Sequence, residues 1–177
     1  DTSLTGNGSD VLTGIESAML WGNSLPNLID ASGFNSGPVT LSGQSGDDTL
    51  HGSPADDSLD GGTGVDRLIQ VADANQTLYN NALTGHGYDY LVSLERVELT
   101  GGAGDNRLDA AAYTAGLVTL RGAAGDDTLV GGFFDDVLDG GDGFDRVEQI
   151  VNADQELTNS LLTGRGTDAV LSIESAM

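Results

Sequence analysis

Residues 43–69 read GQSGDDTLH (43–51), GSPADDSLD (52–60) and GGTGVDRLI (61–69), three tandem blocks of nine. Asp fills the sixth place of each block (Asp48, Asp57, Asp66) and Leu the eighth (Leu50, Leu59, Leu68). Gly gathers at the first, second and fourth places: Gly43 and Gly46 in the first block, Gly61, Gly62 and Gly64 in the third. Gly at these places permits φ > 0 and hence a tight turn that points backbone carbonyls inward. The residues after the Asp are too few for a helix. They suit a short strand whose middle side chain is buried. One block is therefore a turn plus a strand, and two blocks make one coil with strands on opposite sides. Residues two blocks apart fall on adjacent coils about 4.8 Å from one another, which stacks Asp48 near Asp66. Carboxylates that close repel unless a cation lies between them.

The pattern returns at 122–130 (GAAGDDTLV), 131–139 (GGFFDDVLD) and 140–148 (GGDGFDRVE). Here Gly122, Gly125, Asp127, Asp136, Gly140, Gly141, Gly143 and Asp145 fill the turn places, and Leu129, Leu138 and Val147 fill the eighth. The same arithmetic stacks Asp127 near Asp145. On the other side of the coil, Asp57 has Val39 and Asn75 two blocks away, and Asp136 has Val118 and Asp154, so those sites rank second. Both triplets belong to a longer period. Residues 4–82 and 83–161 share 37 identities in 79, and 162–177 begin a third copy. Asn27 matches Asn106, and Glu16 matches Glu95 and Glu174. Residues 1–177 thus read as one β-solenoid segment of a longer array, winding through eight or nine coils. Weaker relatives are Gly6-x-Gly8-x-Asp10-x-Leu12, Gly85-x-Gly87-x-Asp89-x-Leu91 and Gly101 to Asn106, which add Asp10 and Asp89 to the candidate ligands. The stretches 69–82 and 148–161 lack the Gly pattern and read as irregular coils without ion-binding loops.

Composition narrows the reading further. The chain of 177 residues carries 28 Asp and Glu against 6 Lys and Arg, a formal charge of −22. Such a chain is repelled by nucleic acid and anionic lipid, and no apolar run approaches the roughly 20 residues that cross a bilayer as a helix. Cys is absent, which excludes disulfides, thiolate zinc sites and thiol nucleophiles. Sites built from carboxylates and carbonyls select a hard cation, and six to eight flexible oxygen ligands suit Ca2+ over Mg2+.

The six tandem blocks resemble the hemolysin-type, or RTX, calcium-binding nonapeptide GGxGxDxUx, where U is a large apolar residue. GGTGVDRLI and GGDGFDRVE match it best. The resemblance implies an all-β, right-handed parallel β-roll or β-helix that clamps Ca2+ between successive turns. It also implies a module of a secreted or cell-surface bacterial protein, exported by a type I system and folding outside the cell. Physics supports such a switch: without metal the carboxylates repel, and the narrow apolar stripe cannot offset chain entropy.

Other features have plainer readings. Arg67 and Arg146 neutralise nearby carboxylates as surface pairs worth about 0–1 kcal/mol. His51 aligns with Val130 and His86 with Asn7 and Arg165, which speaks against a repeated imidazole site. Trp21 aligns with Thr100 and reads as a packing residue or exposed patch. No nucleophile elbow, phosphate loop or HExxH motif occurs, and the expectation is a non-enzymatic chain. The alternatives are an adhesin or ligand-binding face for polysaccharide or ice, or an accessory module of a polysaccharide lyase or epimerase. The partners expected are calcium ions and neighbouring repeats, with polysaccharide or cell-surface contact under the adhesin reading.

Overall fold

The computed structural model describes residues 3–5, 9–151 and 153–176. All regular structure among them is β. Strands β1 (Ser3–Thr5) and β2 (Ser9–Val11) form an antiparallel two-stranded sheet of their own. From there the chain winds between a ten-stranded and an eight-stranded sheet. β3 (Ala18–Trp21) lies in the ten-stranded sheet, β4 (Leu28–Asp30) in the other, then β5 (Val39–Ser42) and β6 (Thr49–His51), β7 (Ser58–Asp60) and β8 (Arg67–Val71) in the same alternation. Neighbouring coils pair in parallel, with Leu41 opposite Leu59 and Leu50 opposite Leu68.

The eighth-place residues make the core. Leu50, Leu59, Leu68, Leu129, Leu138 and Val147 are all fully buried, as their period predicts. Each buried Leu contributes about 1.5–3 kcal/mol relative to exposure, and their stack fills the space between the sheets. The flanking residues of each strand point outward, where Arg67 and Arg121 hold Glu98, and Arg107 and Arg146 hold Glu148.

The segment 69–82 is more ordered than expected. After β8, the strands β9 (Gln76–Tyr79) and β10 (Ala82–Thr84) form an antiparallel hairpin, with Leu78 opposite Leu83 and both buried. β11 (Tyr88–Val92) turns back antiparallel to β10 and rejoins the roll beside β7. The winding resumes through β12 (Arg96–Thr100), β13 (Arg107–Ala112), β14 (Leu117–Ala124), β15 (Thr128–Val130), β16 (Val137–Asp142) and β17 (Arg146–Val147). A second antiparallel pair, β18 (Leu161–Gly164) and β19 (Gly166–Leu171), precedes β20 (Ser175–Ala176). Seven parallel strands (β4, β6, β8, β12, β14, β16 and β19) stack in the eight-stranded sheet, so the described residues make about seven coils. Sequence spacing suggests eight or nine because the hairpins consume chain without adding coils. The result is a parallel β-roll.

The hairpins have a larger consequence. From β5 to β14 the chain crosses between sheets seven times, through β6, β7, β8, β11, β12 and β13. Seven is odd, so matching residues of the two long units lie in opposite sheets: Val39 stands in the ten-stranded sheet and Val118 in the eight-stranded one.

Candidate metal centres

The turns have two classes of glycine-bearing position. The second and fourth places take positive φ: Gln44 (78°) and Gly46 (109°), Gly62 (99°) and Gly64 (144°), Ala123 (83°) and Gly125 (109°), Gly141 (100°) and Gly143 (145°). The first place does not. A Cβ on Gly43 would sit 2.3 Å from Asp48 Oδ2 and 2.4 Å from the Gly61 carbonyl oxygen, and one on Gly122 would sit 2.3 Å from both Asp127 Oδ2 and the Gly140 carbonyl oxygen. The first glycine therefore keeps open a space between a carboxylate and the carbonyl of the next coil. Its role is close approach, where the sequence suggests backbone conformation.

The sixth-place carboxylates form a ladder along the edge. Asn27 N–H donates to Asp48 Oδ1 (2.7 Å), Asp48 N–H to Asp66 Oδ1 (2.8 Å), and Asp66 N–H to Glu95 Oε2 (2.9 Å). The second copy repeats it: Asn106 N–H to Asp127 (2.7 Å), Asp127 N–H to Asp145 (2.8 Å), and Asp145 N–H to Glu174 (2.8 Å). Each Asp thus spends one oxygen on the preceding coil. The other oxygen of Asp48, Asp66, Asp127 and Asp145 is buried without a hydrogen-bond partner. Burial raises the Asp66, Asp127 and Asp145 carboxyls above their ordinary value, and the neighbouring carboxylates add to the rise. Four buried carboxylate oxygens facing carbonyls with nothing to satisfy them fit a bound hard cation. Among the described residues no three Asp, Glu or His side chains converge, so a cation at such a site draws on neutral oxygens beside the carboxylates, the turn carbonyls among them.

The two ladders lie on opposite edges. Asp48 and Asp66 precede β6 and β8, where the chain enters the eight-stranded sheet. Asp127 and Asp145 precede β15 and β17, where it enters the ten-stranded one. Spacing alone groups all four on one edge; the odd number of crossings separates them.

Asp57 and Asp136 behave differently. Their turns lack positive φ, and each carboxylate is closed within its own loop. Ser53 N–H donates to Asp57 Oδ2 and Gly132 N–H to Asp136 Oδ2, both at 2.6 Å, while Val39 N–H and Val118 N–H donate to the Oδ1 atoms at 2.8 Å. Val39 and Val118 thus sit where spacing places them. On the far side the neighbour is Asp89 rather than Asn75, and Asp168 rather than Asp154, because the antiparallel hairpin intervenes. Burial lifts Asp89 to about 7 and Asp136 and Asp168 to about 6. Asp10 is exposed on β2, and its companions Gly6 and Gly8 lie outside the described residues, as does Asn7.

Sequence reasoning missed the fifth place. Asp47 accepts from Val65 N–H and Asp126 from Phe144 N–H, both at 2.9 Å. These acids reach forward to the next coil while the sixth-place acids reach back, which locks consecutive turns together. The ladder ends Asn27, Asn106, Glu95 and Glu174 are visible in the sequence only as matches between the long units.

A family description, the RTX calcium-binding nonapeptide repeat, matches in four copies over residues 40–68, 98–112 and 119–148. Seven chains of solved structures also match. One is the extracellular lipase LipA from Serratia marcescens, with 16% identity and a TM-score of 0.42 over 92% of this chain and 39% of that one. No curated protein matches. The chain carries RTX calcium-binding nonapeptide repeats, a repeat type that binds Ca2+.

Proposed function

We propose that this chain is a calcium-dependent structural module of a secreted or cell-surface bacterial protein. Its calcium sites lie between turns 43–48 and 61–66 on one edge and between 122–127 and 140–145 on the other. Asp48, Asp66, Asp127 and Asp145 supply the carboxylates, and carbonyls of the glycine turns supply the rest. The observation that carries this reading is the buried, unpartnered Oδ2 on each of these four residues. Bound Ca2+ supplies the positive charge that the edges lack, and its binding energy becomes folding energy. The role read here is structural: Asp66 and Asp145 each brace the preceding coil through Oδ1 and keep Oδ2 for the ion.

Stacking within a longer array has its own support. Leu12, Ile15, Met19, Leu20 and Phe34 line an apolar groove at the first coil. Their counterparts in the second unit include Leu91, Leu94, Leu99 and Tyr113, which are buried where coils stack on both sides. A preceding coil of the same kind would cover the groove. Folding on meeting millimolar calcium outside the cell also suits export of an unfolded chain, as in type I secretion.

Far-UV circular dichroism tests the central part. The spectrum changes from disordered to β on adding millimolar Ca2+, and much less with Mg2+. A β spectrum that persists in excess chelator would overturn the proposal.

A further inference from the structure

The turn at 84–89 lies outside the matched repeats, which end at 68 and resume at 98. It nevertheless stacks on turn 52–57 through the same three contacts that join 61–66 to 43–48. In the nonapeptide pair, Gly64 closes on the Gly46 carbonyl, Val65 N–H donates to Asp47, and Asp48 N–H donates to Asp66. In the other pair, Gly87 closes on the Ala55 carbonyl, Tyr88 N–H donates to Asp56 (2.9 Å), and Asp57 N–H donates to Asp89 (3.0 Å). Gly85 and Gly87 take positive φ, 122° and 89°, as the second and fourth places of a nonapeptide do. The two turns stand further apart in sequence than a nonapeptide pair only because β9 and β10 intervene.

A second, independent observation points to a ligand. Asp89 is fully buried, and its Oδ2 has no hydrogen-bond partner. Its Oδ1 faces turn 52–57 through the Asp57 N–H. Asp57 does not share this deficit, since Ser53 N–H and hydroxyl occupy its oxygens.

We propose that turns 52–57 and 84–89 enclose a further Ca2+ site, with Asp89 Oδ2 as its single free carboxylate oxygen. The inference rests on the calcium reading of the nonapeptide turns. One unspent carboxylate oxygen, where a nonapeptide pair offers two, makes this site weaker, so it fills last. It lies on the edge opposite Asp48 and Asp66, and so clamps the first repeat copy on both sides.

Two measurements test it. The first is calcium stoichiometry by native mass spectrometry for the native chain, Asp89→Asn and Asp66→Asn. Asparagine keeps an oxygen for the Asp57 N–H, and circular dichroism in calcium checks that the fold persists. Asp89→Asn is expected to bind one ion fewer, with the weakest class missing. The second is Tb3+ emission sensitised by Tyr88 and Tyr90, the residues that flank Asp89. Most of the tyrosine-excited emission is expected to vanish in Asp89→Asn and in Tyr88→Phe/Tyr90→Phe, and to survive in Asp66→Asn. Unchanged stoichiometry in Asp89→Asn, or unchanged emission in the double tyrosine variant, overturns this site. The nonapeptide reading fails separately, if Asp66→Asn binds as many ions as the native chain.

Discussion

Replacing Asp145 separates two roles of one carboxylate. Its Oδ1 accepts the buried Asp127 N–H at 2.8 Å, and its Oδ2 is buried and unpartnered. Asp145→Ala removes both, and the stranded N–H costs about 1–3 kcal/mol with or without metal. Asp145→Asn keeps an oxygen for the N–H and deletes only the charge. In saturating calcium the Asn variant loses the contribution of the shared ion, about 2.7 kcal/mol when free calcium is 100 times the dissociation constant. In chelator the sign reverses. The variant no longer carries a buried charge repelled by Glu174 and Asp126, so the metal-free chain folds more readily than the native one. Denaturant unfolding in calcium gives the first number. The midpoint of folding induced by trimethylamine N-oxide in chelator gives the second. Asp127→Asn combined with Asp145→Asn costs less in calcium than the sum of the singles, because one ion cannot be lost twice. An Asn variant equally destabilised in calcium and in chelator would refute the assignment of this carboxylate to a cation.

Leu129→Ala destabilises the calcium-loaded chain by about 2–5 kcal/mol while the ion count stays constant, and His51→Ala changes stability by less than about 0.5 kcal/mol; equilibrium unfolding and native mass spectrometry check both. Acid partly substitutes for calcium. The folded pKa values of Asp89 (about 7), Asp136 and Asp168 (about 6) lie above the ordinary 3.8, so the folded chain binds more protons than the unfolded one between those limits. The resulting stability is full below 3.8 and is lost as pH rises through 6 and 7, and in chelator β content is therefore higher at pH 5 than at pH 8. Ala123→Gly stabilises by up to about 1 kcal/mol, relieving a left-handed Ala at φ 83°. Gly143→Ala destabilises by at least about 1–3 kcal/mol, since its Cβ would lie 2.0 Å from the Gly125 carbonyl oxygen; thermal unfolding in calcium reads both.

The core was legible because burial imposes a strict rule on every ninth residue: Leu50, Leu59 and Leu68 have to point inward in turn. The positive φ of Gly46, Gly62, Gly64, Gly125, Gly141 and Gly143 was legible for the same kind of reason, a backbone conformation that side chains resist, whereas Gln44 and Ala123 adopt it without announcing it in the sequence. What spacing could not reveal was the consequence of residues 69–82. Leu78 and Leu83 pair in a hairpin whose alternation is too short to stand out from irregular coil. That hairpin moves the partner of Asp57 from Asn75 to Asp89 and sends Asp127 and Asp145 to the opposite edge. Glu95 and Glu174 recur in the sequence, but their role depends on which N–H group the coil stacking brings to them.

The most direct test is the anomalous scattering of calcium in crystals grown with the metal. Peaks are expected between Asp48 and Asp66 on one edge of the roll and between Asp127 and Asp145 on the opposite edge. Peaks confined to a single edge, or none beside these four carboxylates, would contradict the account.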